Sequence, residues 1–150
     1  MIIYHPSKWF NPLSKIIRFF DADYTGKSNS AIHTDFFTPI PTHPVWPGLK
    51  DKQKHFPMQY PRLLDILSPD IIVTSLSMKN VKILLENIGE QYTEIFSKEE
   101  PNKSAKYIKA YRIDGKLTVI NGRNFQGTYF GGMSSEFIKE CMDEIRALLQ

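Results

Sequence analysis

The sequence predicts one three-layer α/β/α domain with a mainly parallel central sheet. Segments with helical spacing of apolar residues alternate with short β-branched runs, and this order favours parallel strands joined by right-handed helical connections. The β-branched run at residues 71–73 is typical of a strand that helices cover on both faces. A length of 150 residues suits a single core, so we expect residues 1–150 to form one α/β domain.

The composition is that of a folded chain, with 41% hydrophobic and 23% charged residues. There is no apolar run long enough to cross a bilayer and no secretory signal, so we expect a cytoplasmic protein without a membrane partner. The net charge of +3 comes from scattered basic residues, which permits nucleic-acid binding without favouring it. Cys141 falls among apolar residues of a helical pattern, so we expect a packed thiol rather than a nucleophile.

The first part of the chain is predicted to hold a helix, a loop, a strand and a rigid connection. Apolar residues spaced by three and four predict a helix over residues 6–20, and residues 21–30 have the composition of a loop. Alternation predicts a strand over residues 31–37. Four prolines then keep residues 38–48 extended and rigid, which suits a loop that holds side chains for recognition.

Three further helices are predicted in the rest of the chain. They cover residues 60–67, residues 78–88 and a last segment that begins at Ser134 or Ser135. Ser77 is expected to cap the second of them, and Gly89 is expected to end it in a left-handed conformation.

The predicted strands of this part are one buried strand and one hairpin. Residues 70–76 form the buried strand, and residues 91–104 are polar, with residues 98–103 predicted to be mobile. Residues 107–113 and 116–120 are predicted to pair antiparallel, because Asp114-Gly115 between them is a strong hairpin signal.

Ligands of parallel α/β sheets bind at the carboxyl ends of the strands, which selects the segments after Phe37, Leu76 and Ile120. His33 and Asp35 share one face of the first predicted strand, which suits an acid–base pair or two metal ligands; in a partly buried site they could simply satisfy each other. The chain has no HExxH or CxxC spacing, and its glycine-rich turn matches neither a P-loop nor a dinucleotide fingerprint. We therefore expect no metal and no cofactor.

Three segments carry a resemblance to a known family. They are HTDFFTPIPTHPVW at residues 33–46, PDIIVTSL at residues 69–76, and LTVI at residues 117–120 leading to GGMSS at residues 131–135. In this order they resemble the later part of the uracil-DNA glycosylase superfamily, particularly its divergent members, and the likeness covers about residues 9–150. The resemblance implies a uracil-DNA glycosylase-like fold and a hydrolase that removes a base from DNA.

Two departures from the family pattern limit the activity that the resemblance implies. We expect the family's first motif, which carries the water-activating group, to be missing from this sequence. Where the family places a His-Pro-Ser after the last strand, this chain has Asn-Gly-Arg-Asn at residues 121–124. Arg123 could stabilise an anion electrostatically in place of the histidine. We expect a domain that binds DNA or a nucleobase-containing ligand and is weak or inactive as an N-glycosylase.

The expected site residues follow from these segments and from the needs of base flipping. The catalytic candidates are His33 and Asp35. The candidates for stacking and for base or phosphate contacts are Phe37, Thr38, Trp46, Ser75, Ser77, Arg123, Asn124 and Ser134. The aromatic pair could instead belong to the core. The alternative function is a small non-enzymatic domain that binds another protein.

Overall fold

The computed structural model describes residues 10–24, 30–32, 60–101, 105–123 and 132–150, and within them it is a mixed α/β fold. The helices of these residues are α1 (Phe10–Ile17), α2 (Tyr60–Leu67), α3 (Met78–Ile88) and α4 (Ser135–Leu149), with a 3-10 turn at Arg18–Phe20 after α1. The strands are β1 (Ile71–Thr74), β2 (Tyr92–Glu99), β3 (Tyr107–Ile113) and β4 (Leu117–Gly122).

The sheet has the strand order β1-β4-β3-β2. Among the described strands, only β1 and β4 are parallel, whereas β4 pairs antiparallel with β3, and β3 pairs antiparallel with β2. The prediction of a mainly parallel sheet is therefore wrong for the described strands. The physical reason for the difference is β2, an antiparallel strand in a segment for which the sequence predicts a polar stretch and no strand.

The strand β2 lies at the edge of the sheet, which explains its polar sequence. Tyr92 and Glu94 are exposed, and the ladder to β3 is irregular between Glu94 and Phe96. Exposed charges and a bulge are the usual devices that keep an edge strand from pairing with other chains. A strand of this kind buries little apolar surface, so it gives only a weak periodic signal in the sequence.

Helices pack on both faces of the sheet. On one face, α1 and α4 bury a cluster with β3 and β4 that includes Ile16, Ile108, Ile120, Met142 and Ile145. On the other face, α3 buries a second cluster that includes Ile72, Val81, Leu84, Ile113 and Val119. Leu64 of α2 packs against this second cluster. We call these the α4 face and the α3 face of the sheet.

The turn between β3 and β4 confirms the predicted hairpin. Asp114 and Gly115 have φ angles of 47° and 70°, the left-handed conformation that Asp-Gly supplies in tight hairpins. The Asp114 carboxylate also accepts hydrogen bonds from the backbone N–H groups of Glu90 (3.3 Å) and Gln91 (2.9 Å). The hairpin turn thereby holds the connection between α3 and β2.

Gly89 ends α3 for a reason that differs from the prediction. Its φ is −161° and its ψ is 167°, which is extended backbone, so the predicted left-handed stop is wrong. A Cβ atom at this position would collide with the Cγ2 of Ile113. Glycine is needed here because the chain passes directly over the end of β3.

The Ser77 cap, the start of the last helix and the packed thiol are confirmed. The Ser77 hydroxyl accepts a hydrogen bond from the backbone N–H of Asn80 at the start of α3, and Ser134 does the same for Phe137 in α4. Cys141 lies on the buried side of α4, and burial raises the pKa of its thiol to about 12.

No helix within the described residues combines the length and apolar character needed to cross a membrane.

Candidate ligand-binding site at the carboxyl end of the sheet

Three strands end at the same edge of the sheet. Strands β2 and β4 both run antiparallel to β3, so they run in the same direction, and β1 is parallel to β4. The carboxyl ends of β1, β4 and β2 therefore lie together with the start of β3, and we call this edge the carboxyl end of the sheet. In doubly wound folds this is the edge at which ligands bind.

Asn121 joins the ends of the two parallel strands. Its side chain is completely buried, and its Oδ1 accepts hydrogen bonds from the Thr74 Oγ1 and from the Leu76 backbone N–H, both at 2.8 Å. Its Nδ2 donates to the Leu76 carbonyl at 3.2 Å. The amide thus holds the segment after β1 against the end of β4, so we regard Asn121 as a positioning residue rather than a ligand contact.

The α3 face becomes polar towards the carboxyl end. In the strand register Thr74 lies beside Asn121, Asn121 beside Lys109, and Lys109 beside Ser97, so one polar row crosses all four strands. The next row towards the end contains Tyr107, whose carbonyl accepts the backbone N–H of Arg123 at 3.2 Å. The polar rows follow directly on the apolar residues that α3 covers.

The charges of these rows act on the pKa of Tyr107. Burial raises the pKa of Tyr107, and the positive charges of Arg123 and Lys109 oppose this rise. The Lys109 Nζ lies 2.9 Å from the Glu94 Oε2 in a partly exposed ion pair. Arg123 is exposed. Tyr107 remains protonated at neutral pH, so its hydroxyl can act as a hydrogen-bond donor.

Four of the predicted site residues lie at this carboxyl end. Ser75 is half-buried in the segment that Asn121 holds, and Ser77 is exposed as the cap of α3. Arg123 follows β4 directly. Ser134 donates its backbone N–H to the Glu100 Oε1 at 2.9 Å, and Glu100 comes directly after β2.

The other predicted site residues lie outside the described residues. These are His33, Asp35, Phe37, Thr38, Trp46 and Asn124. The acid–base pair and the stacking aromatics therefore stay predictions. Among the residues that the structure does describe, no group of three or more His, Cys, Asp and Glu side chains is placed to hold a metal ion.

Sequence reasoning missed Tyr107 and Lys109 as candidates. Both belong to a strand that was predicted correctly, and Lys109 interrupts the apolar residues on either side of it, Ile108 and Ala110. That lysine is the signal that marks a polar patch on this face. Its position next to Asn121 depends on strand register, which the local pattern does not contain.

Comparison with known proteins finds no matching family model, no similar curated protein and no similar solved structure. The resemblance to the uracil-DNA glycosylase superfamily rests on the three segments quoted above and stays a prediction.

Proposed function

We propose that this domain binds DNA or a nucleobase-containing ligand at the carboxyl end of the sheet, and that it is weak or inactive as a base-excision N-glycosylase. The observation that carries the proposal is the tie between β1 and β4 through Asn121. This tie brings the segment with Ser75 and Ser77 next to the strand that leads to Arg123.

The residues at this edge have the chemistry that phosphate groups require. Serine hydroxyls, backbone N–H groups and arginine side chains are among the groups with which proteins contact nucleic-acid backbones. Arg123 offers five N–H donors in a planar fork that matches a phosphate oxygen pair. The serines come from one segment and the arginine from another, so a phosphate between them would be held from two sides.

The expectation of weak catalysis comes from the family pattern. The segment after β4 carries Arg123 at the place where the family has a histidine. An arginine can stabilise a departing base anion but does not exchange protons at neutral pH, so we expect little base release.

Fluorescence anisotropy with labelled single-stranded and double-stranded oligonucleotides tests binding. We expect affinity that falls steeply between low and moderate salt, because phosphate contacts release counterions. Arg123→Ala should weaken this binding. Lys116→Ala is the matched control, since it removes the same charge from the exposed turn at the opposite end of β4.

Equal losses in the two variants would indicate a general charge effect and contradict the proposed site. Absence of binding at low salt would reject the nucleic-acid proposal and leave the alternative of a protein-interaction domain. Oligonucleotides that contain uracil or hypoxanthine should yield no abasic sites on incubation. Strong strand cleavage after alkali would show that the domain is an active glycosylase.

A further inference from the structure

We propose that Tyr107, Lys109 and Arg123 form an anion subsite on the α3 face that binds one phosphate group of the ligand. This inference deepens the proposed function, because it names residues that would hold one phosphate group of the ligand. Two of them, Tyr107 and Lys109, lie on β3, and no sequence motif indicated them as site residues. It rests on that function only for the identity of the ligand, not for the presence of the subsite.

The strand register brings the three side chains to one face. Tyr107 and Lys109 are two residues apart on β3, so their side chains point to the same side of the sheet. Arg123 lies opposite Tyr107, with its backbone N–H bonded to the Tyr107 carbonyl. The Cβ atoms of residues that are directly opposite or diagonal on one face lie about 5–8 Å apart. The hydroxyl, the ammonium and the guanidinium groups therefore extend from neighbouring positions of one face.

The electrostatics of Tyr107 give independent support for this grouping. The charges of both Arg123 and Lys109 act on its hydroxyl and work to lower its pKa, against the stronger effect of burial. Both cations therefore act electrostatically on the phenol. The phenol itself stays protonated and can donate a hydrogen bond to a phosphate oxygen between them.

Two carboxylates border the subsite and set its expected behaviour. Glu94 pairs with Lys109, and the exposed Glu99 lies beside Tyr107 in the register. The side chains of Lys109 and Glu94 keep 26% and 42% of their exposure, and ion pairs at such positions are weak. A phosphate can replace Glu94 as the partner of Lys109. The subsite therefore predicts that Glu94 competes with the bound anion.

The test uses inorganic phosphate and NMR of the isotope-labelled protein. Titration with phosphate, at ionic strength held constant with sodium chloride, should give saturable shifts of the backbone amides of residues 107, 109 and 123. Lys109→Met should weaken the affinity about threefold, and Tyr107→Phe should weaken it by a smaller factor, since it removes one neutral donor.

The informative variant is Glu94→Gln, which removes the competing charge and keeps the size of the side chain. We expect it to tighten phosphate binding about threefold, as the release of Lys109 from a partly exposed pair predicts. Lys116→Met, distant from the subsite, should leave the affinity unchanged. Shifts that do not saturate, or a Glu94→Gln variant that binds phosphate no better than the wild type, would overturn the subsite.

Two results separate this inference from the proposed function. Saturable phosphate binding with the expected Glu94→Gln effect, in a protein that binds no oligonucleotide, would keep the subsite and reject the nucleic-acid ligand. Oligonucleotide binding that depends on Arg123 but is unaltered in Lys109→Met and Glu94→Gln would keep the proposed function and reject the subsite.

Discussion

On the α4 face of the sheet the middle of β3 and β4 is apolar up to the carboxyl end, whereas the α3 face turns polar there. Ile108, Ala110 and Ile120 point towards α4 and are completely buried. Their neighbours in the chain, among them Lys109 and Asn121, form the polar rows of the other face. The same two strands therefore supply a core on one side and a candidate site on the other, which follows from the alternation of side chains along a strand.

The exposed surface of α4 also differs in charge from the α3 face. The exposed residues of α4 include four acids, among them Glu140 and Glu144, which both pair with Lys98 of β2. An anionic ligand would be repelled there, since only Lys139 and Arg146 supply positive charge on this helix. The α3 face is therefore the better candidate for phosphate binding, whereas the α4 face contributes mainly to the stability of the fold.

The largest expected effect is on the α4 face. Ile145 is completely buried. Ile145→Ala should reduce the free energy of unfolding by about 2–5 kcal/mol, because the shorter side chain leaves a cavity in the packed core. Urea denaturation measures this loss. Oligonucleotide affinity of the folded variant should equal that of the wild type, and a parallel loss of affinity would contradict the separation of the two faces.

Asn121→Ala should have the next largest effect and should change both properties. It leaves the Leu76 backbone groups without their partner, which costs about 1–3 kcal/mol, and it releases the segment with Ser75 and Ser77. Asn87→Ala is the control, since Asn87 is exposed and donates a hydrogen bond to the Ile83 carbonyl within its own helix. The control should stay within about 0.5 kcal/mol of wild type. An Asn121→Ala variant with unchanged binding would show that the tie does not position the site.

An intermediate effect should appear at alkaline pH. Burial raises the pKa of Cys141 on the α4 face and of Tyr111 on the α3 face, each to about 12. Both groups are neutral when protonated, so their raised pKa favours the protonated folded state, and stability falls as pH rises above the unfolded values of about 9 for the thiol and 10 for the phenol.

Urea denaturation across this alkaline range should show a smaller fall for Cys141→Ala and for Tyr111→Phe than for the wild type. The comparison uses the slope with pH, because each substitution also changes packing. A wild-type protein whose stability is constant from neutral pH to about 12 would contradict the burial of both groups.

The smallest expected effect concerns the ion pairs of Lys98. They join the edge strand β2 to α4 on the partly exposed rim of the sheet, and they hold the pKa of Lys98 above its usual value. Lys98→Met should lower stability slightly at low salt, and the difference should vanish in molar salt, where exposed charges are screened. A loss of the same size in molar salt would point to packing by the lysine stem instead.

Several elements could be predicted because their signals are local. The bounds of α2 and α3 agree with the predicted helices at residues 60–67 and 78–88, since apolar residues recur there at helical spacing. The hairpin could be predicted from Asp114-Gly115, and the caps of α3 and α4 from serine before an apolar pattern. The strand β2 escaped prediction because an exposed edge strand needs few apolar residues.

The site could be predicted only in part for a related reason. The rule that ligands bind where parallel strands end selected Ser75, Ser77 and Arg123, and β1 and β4 are indeed parallel neighbours. Tyr107 and Lys109 could not be selected in this way, because they lie on an antiparallel strand that starts at the same edge. Their grouping with Arg123 depends on which strands pair and in what register.

By itself the sequence determined where most helices and strands form, that Cys141 is a packed thiol, and that Asp114-Gly115 makes a tight hairpin. Those properties follow from neighbours within a few residues of one another in the chain. The tertiary structure alone decided that the sheet is mostly antiparallel, that Gly89 serves a close approach to Ile113, and that Lys109 meets Asn121. These depend on contacts between distant segments, in which packing and strand pairing override local preference.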